Sequence, residues 1–338
     1  MSQHYLLSAA SRQLSLAQVL RMSDEDARMT FAWMRWDSEV EQVCPRCGVV
    51  RKHAYISTRK QWACKDCGHR FSVTSGTVFA HHKLSLQVLL GAIVLFVQSA
   101  KGMPALQLSR NLDVQYKTAF VLFHKLREAL WCTQDESPLA GEVEMDAAYV
   151  HGYVRPKNRK VDRVDRRKKE NLNPVKRAVL VMRERGLPKQ GAQRSIIKVI
   201  KQENEADIQR LVKQHVHPDA VIYADEHPAY ASLAAIHEVH QVNHQDEYAT
   251  KDGVNQNQAE SFFTRMRRML VGQIHKNAPK HLEFYAHEIA WREDNRRQSA
   301  LQQFNSLLES ALKHSPSRNW SKYWQGNHLD DGFAQLAA

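Results

Sequence analysis

The chain has 338 residues, enough for two or three domains, with 43% hydrophobic and 25% charged residues, the balance of an ordinary soluble globular protein. Lys and Arg number 48 against 36 Asp and Glu, a formal charge of +12, which points to a polyanionic partner, nucleic acid before an anionic membrane. No N-terminal signal sequence is visible, and the longest apolar run, Val88 to Val97, is too short to span a bilayer. A membrane partner is therefore not expected, a cytoplasmic, nucleoid-associated address is, and clustered thiols should mean metal rather than disulfides.

Residues 1–40 read as helical, with Ser23 as N-cap and Asp24, Glu25 and Asp26 in the first turn of a helix that shows no chemistry. Residues 41–80 carry Cys44-Pro45-Arg46-Cys47-Gly48 and Cys64-Lys65-Asp66-Cys67-Gly68, two C-x2-C knuckles separated by sixteen residues. Four thiolates at this spacing suit a closed tetrahedron around a structural zinc ion, and each Gly frees the turn behind its knuckle. Cys132 is left over and is expected to be a small buried side chain.

Residues 81–134 read as an apolar helix from Ser85 to Ala100, a short helix from Ala105 to Leu112, a turn, and a longer helix from Gln115 to Trp131. That order is a helix-turn-helix pattern. The apolar stripe of the last helix leaves Lys117, Thr118, Lys125 and Arg127 as residues that would face DNA.

From Gly141 to Val154, alternation places Val143, Met145 and Ala147 on one side of a strand and Glu142, Glu144 and Asp146 on the other. An acidic row on such a strand needs either solvent or cations. The basic stretch from Arg155 to Arg177 holds eleven Lys or Arg against three Asp or Glu and offers Arg167 and Lys168 to a phosphate backbone. Two β-branched runs, Ala178 to Met182 and Ser195 to Ile200, predict two more strands, and Glu205 to Val216 an amphipathic helix. Ala220 to Asp225 predicts a strand ending on an acid, with a further helix containing Tyr230 and Leu233. On the helix from Gln256 to Val271, Glu260 and Arg267 lie seven residues apart and so differ by only about 20° around the axis. Asn257 lies one turn earlier. Asp146, Asp225 and Glu260 would be hard oxygen ligands for magnesium or manganese.

Three strands, a helix, a fourth strand and another helix follow the order of a ribonuclease H-like fold. The two cysteine knuckles, the helix-turn-helix pattern and the phrases VEMDAAYV, VIYADEHPAY, NQNQAESFFTRMRRMLVGQIHK and PKHLEFYAHEIAWREDNRR resemble DDE-type insertion-sequence transposases of the zinc-ribbon-bearing, ISXO2-like group. The resemblance implies a ribonuclease H-like catalytic domain acting on the ends of its own mobile element. Asp146 and Asp225 would be its first two acids, and Glu260 or Asn257 the third catalytic residue. Arg267 stands where the family carries Lys, and Ala147 where an acid often follows the first Asp.

The expected fold is multidomain α+β: a helical segment over 1–40, a zinc ribbon over 41–80 and a helix-turn-helix over 81–134. A ribonuclease H-like mixed sheet flanked by helices would follow over 135–298, then a C-terminal helical tail over 299–338. Double-stranded DNA is the expected partner, bound by a homo-oligomer. A DNA-binding regulator without catalysis and a ribonuclease H-like nuclease are the rival readings. The first gives no reason for the three acids, and the second leaves a DNA reader redundant.

Overall fold

A computed structural model describes residues 8–9, 13–152, 154–165, 168–171, 173, 175–186, 191–242, 257–275 and 277–328. The chain divides into two compact units, one built from residues 1–134 together with 295–328, the other centred on residues 135–294.

The first unit opens with α1 (Leu16–Leu20) and α2 (Asp24–Trp36), the latter capped by Ser23 accepting from the Asp26 backbone N–H. Two small antiparallel sheets follow: β1 (Gln42–Val43) with β2 (Val50–Arg51), and β3 (Ala54–Ile56), β4 (Gln61–Ala63) and β5 (Arg70–Phe71). Trp36 of α2 meets Trp62 edge-on at 5.2 Å and Phe71 at 6.1 Å, so aromatic contacts supply a core that the short strands could not. Then come α3 (Leu86–Gln98), α4 (Ala105–Asn111) and α5 (Tyr116–Cys132), close to the sequence expectation. Cys132 departs from it: the last residue of α5 is exposed, because its position falls outside the buried stripe.

Residues 295–328 return to this unit. Helix α9 (Ala300–Lys313) buries Phe304, Leu307, Leu308, Ala311 and Leu312 and packs on α2, α3 and α5. Trp320, 1% exposed, then stacks on His124 of α5 at 4.1 Å. The expected C-terminal tail is thus an integral layer of the first unit over its described residues.

The second unit contains β6 (Glu142–Val150), β7 (Arg177–Arg185), β8 (Ala192–Ile200), α6 (Glu205–His215), β9 (Val221–Asp225), a 3₁₀ turn over Pro228–Ala235, β10 (Glu238–Val242), α7 (Asn257–Met269) and α8 (Pro279–Asp294). The sheet order is β10-β9-β6-β7-β8. β6 to β8 form an antiparallel meander, while β9 runs parallel to β6 and β10 parallel to β9. The unit is a mixed sheet with helices on both faces. Val143, Met145, Ile222 and Ala224 belong to the core that contains α6 residues; Ala148, Val150, Val179 and Val181 belong to the core that contains α7 and α8 residues. Strand β10 was not expected from sequence: EVHQV is short, and its Glu, His and Gln mask the apolar alternation. The helix expected around Tyr230 and Leu233 is a 3₁₀ turn, and α7 runs into a π-helical turn over Leu270–Ile274 that ends at His275 with φ of 59°.

Candidate active site and metal centre

The cysteine knuckles fold as their glycines require. Gly48 N–H donates to Cys44 O at 2.9 Å and Gly68 N–H to Cys64 O at 3.0 Å, with φ of 75° and 68°, a region open to Gly at little cost. The sulfurs of Cys44 and Cys67 lie 3.7 Å apart, and those of Cys47 and Cys64 3.6 Å. A tetrahedron with Zn–S arms of ~2.3 Å has edges of about 3.8 Å, so the four sulfurs fit zinc. Backbone N–H groups of Cys67 and Asp66 draw the Cys64 thiol down to about 7, while Cys47, crowded by the other three thiols, is pushed up to about 12; four sulfurs this close share protons until a metal takes their place. The site uses all four ligand positions and is structural.

Among the basic residues around the knuckles, Arg51 pairs with Asp66 at 3.1 Å and Lys60 with Asp24. On α5, Lys117 is exposed and stands 5.4 Å from the Trp324 ring centroid, and Thr118 is half-buried. Two residues expected to face DNA are held inside this unit instead. Arg127 is 3% exposed, with its guanidinium 5.5 Å from the Phe123 ring and 6.0 Å from the Phe96 ring, and Lys125 Nζ donates to Val78 O at 3.1 Å. The periodicity of α5 alone misplaced them, because burial on this helix is completed by segments far along the chain. Arg167 lies outside the described residues, and Lys168 is exposed.

Asp146 sits in β6, the middle strand of the sheet, and Asp225 ends β9 beside it. The parallel register pairs Val143 with Ile222 and Glu144 with Tyr223. Asp146 and Asp225 each follow the last of these pairs by two residues, on neighbouring strands. Both acids are half-buried, and the alternation puts them on the face toward α7 and α8. Asp225 Oδ1 accepts from His227 N–H at 3.0 Å, and Asp146 Oδ1 accepts from Ala147 N–H at 2.7 Å.

The first turn of α7 is tied to this strand by Glu144, a residue whose role was not read from the sequence. Glu144 is 1% exposed. Its Oε2 accepts from the backbone N–H groups of Gln258 at 2.8 Å and Ala259 at 3.2 Å, satisfying free donors at a helix N-terminus with an anion. Its Oε1 pairs with Arg185 Nε at 2.7 Å. Arg183 Nη1 adds a bond to Gln258 O at 2.7 Å. Asn257 and Glu260, both exposed, are therefore carried on a turn anchored two residues from Asp146. Arg267 is exposed two turns further along α7, and His275 is exposed beyond the π turn.

The oxygens of Asp146, Asp225 and Glu260 do not all lie within 4.8 Å of one another; among the described residues only the four cysteines, and His53 with Asp66 sharing Cys64, form such a group. The donor set of hard carboxylates nevertheless suits magnesium or manganese. The Tyr230 hydroxyl is buried without a hydrogen bond of regular geometry among the described residues; burial first, and then the Glu203 carboxylate with smaller help from Asp146 and Asp225, pushes it well above the usual phenol range.

Residues 138–294 match the model of the ISXO2-like transposase domain, and residues 22–70 that of the transposase zinc-ribbon domain. A relative from Halobacterium salinarum, described as an uncharacterized protein in transposable element ISH50, is 27% identical over 301 residues, covering 86% of this chain and 98% of that protein. A chain in the crystal structure of the Mos1 strand transfer complex aligns over 64% of this chain and 78% of its own length, at 12% identity and a TM-score of 0.20, too distant a superposition to bear on the fold. No helix among the described residues is long and apolar enough to cross a membrane.

Proposed function

We propose, from the chain's membership of the zinc-ribbon-bearing ISXO2-like transposases, that it binds the terminal inverted repeats of its insertion sequence and catalyses metal-dependent DNA strand cleavage and strand transfer. The observation that supports this reading is the parallel pairing of β6 with β9, whose last pair, Glu144 with Tyr223, stands two residues before Asp146 on one strand and two before Asp225 on the other, although 78 residues separate the two acids in sequence. The strand order β10-β9-β6-β7-β8 supports the ribonuclease H-like assignment.

In this reading Asp146, Asp225 and Glu260, or Asn257 in place of Glu260, hold magnesium or manganese. Bound there, the metal supplies activation of the attacking oxygen and stabilisation of the leaving oxygen in phosphoryl transfer. Glu144 sets the height of the α7 turn, so that Glu260 or Asn257 meets the strand acids when DNA and metal are present. Arg267, on the same stripe of α7 as Glu260, offers a guanidinium to the charge that develops at phosphorus.

The zinc ribbon and the α4–turn–α5 segment, acting as a helix-turn-helix, would read the repeats through Lys117, Thr118 and exposed ribbon cations such as Arg46 and Lys52. The exposed basic stretch around Arg155–Arg163, with Lys168, would grip the phosphate backbone near the acids. A homo-oligomer on paired ends completes the proposal. The test is a cleavage and joining assay on linear DNA bearing the element's ends, with and without magnesium. Asp146→Asn and Asp225→Asn should each abolish cleavage while end binding stays within a few-fold of the parent. Cleavage at the parental rate in either variant would refute the assignment.

A further inference from the structure

Between β8 and α6 the chain passes through Gln202, Glu203 and Asn204. Asn204 caps α6 by accepting from Asp207 N–H at 2.9 Å, which explains its presence; nothing of that kind explains Glu203. The Glu203 carboxylate is only 7% exposed, yet its one ionic neighbour among the described residues is the imidazole of His227, with Nδ1 3.7 Å from Oε1. That contact carries charge only when the ring is protonated. The backbone fixes the residue in place, since Glu203 N–H donates to the Tyr149 hydroxyl at 3.1 Å.

His227 also joins Glu203 to the strand acids, because its own N–H holds Asp225 Oδ1 at 3.0 Å. No Lys or Arg side chain pairs with Glu203 or with Asp225 among the described residues, in a chain with a formal charge of +12. Tyr230, fully buried, turns its hydroxyl toward Glu203 without closing a regular hydrogen bond. Burial pushes the Glu203 carboxyl upward by more than the Tyr230 hydroxyl and His227 draw it down, and Asp225 adds a little to the rise. Removing carboxylates from water without a compensating charge is costly, and this cost falls beside the acids proposed to hold a metal.

We propose that Glu203 is a further oxygen ligand of the divalent-cation site, beside Asp146 and Asp225. The proposal rests on the phosphoryl-transfer reading given above, and binding of the cation alone tests it without any DNA. Full-length, zinc-loaded protein is titrated with manganese, free Mn²⁺ is followed by its electron paramagnetic resonance signal, and melting is recorded with and without Mn²⁺. Glu203→Gln should weaken Mn²⁺ binding at least tenfold, and Glu203→Asp should recover part of the loss. Glu205→Gln, at an exposed acid two residues on, should bind as the parent does.

Without Mn²⁺ the Gln variant should melt at or above the parental temperature, since it removes a buried charge, and Mn²⁺ should raise it less. Parental Mn²⁺ affinity in Glu203→Gln, alongside weakened binding in Asp225→Asn, would overturn this inference alone. A Gln variant that melts early or does not fold would also overturn it, by making Glu203 a structural residue. Parental affinity in both Asp146→Asn and Asp225→Asn would instead bring down the underlying reading.

Discussion

His215, the last residue of α6, has a solvent exposure of 1%, and neither ring nitrogen has a hydrogen-bond partner among the described residues. Burial first, and then the charge of Lys198, push its pKa down to about 4 from an ordinary value of about 6.5. The unfolded chain therefore takes up a proton that the folded chain refuses, and stability is lost as the pH falls from 6.5 toward 4. The whole loss from this residue is roughly 3 kcal/mol, at 1.36 kcal/mol per pKa unit. His215→Phe removes the titration, so the melting temperature of the variant should fall less than the parent's between pH 7.5 and pH 5. Parallel pH curves would show that another group governs the acid side. The residue scale also divides what the sequence made legible. Asp146 and Asp225 stood out because an acid at a strand position is conspicuous among Val, Met and Tyr. Glu144 and Glu203 did not, because their meaning lies in partners that only the folded chain supplies: Gln258 is 114 residues from Glu144, and the Asp225 acid beside Glu203 reaches it through His227.

At the scale of elements, periodicity found most of the helices and four of the five strands of the large sheet, and it failed where an element is short or its faces are mixed. β10 has five residues, too few for alternation to show through Glu, His and Gln. On α5 the helix itself was legible, but which cations stay in solvent was not, since Val78 and residues 317–325 lie on other parts of the fold. The tie between β6 and α7 gives a quantitative expectation. Glu144→Ala would leave two helix N–H donors and the Arg185 guanidinium without their shared acceptor in a buried place. The loss should be about 3 kcal/mol or more in urea unfolding of the second unit. Glu144→Gln keeps an acceptor oxygen and should lose less. DNA cleavage should fall further than stability accounts for in both variants, because the turn bearing Asn257 and Glu260 is no longer held at one height. Cleavage at the parental rate in a folded Glu144→Ala protein would show that the turn is positioned by other contacts.

For the molecule as a whole, the order of domains along the chain is not the order of compact units in space. Residues 295–328 rejoin the unit that residues 1–134 begin, with the whole of residues 135–294 between them in sequence. The reason is apolar area. α3 and α5 present buried faces too wide for α1, α2 and the ribbon to cover, and α9 closes them with Phe304, Leu307, Leu308, Ala311 and Leu312. At about 1.5–3 kcal/mol for each large side chain buried, this layer contributes on the order of 10 kcal/mol, which equals the entire net stability of a typical domain. Trp320 on His124 and Asn319 bonded to Glu128 at 2.5 Å extend the same closure. A protein ending at residue 134 should therefore be aggregated or molten even with zinc bound. Co-expression with residues 295–328 should restore a soluble, cooperatively melting complex. Residues 135–294 carry buried cores on both faces of their sheet and should fold alone. If residues 1–134 melted cooperatively by themselves, α9 would be an accessory covering, and the DNA reader proposed here could be separated from the C-terminal segment by a simple cut.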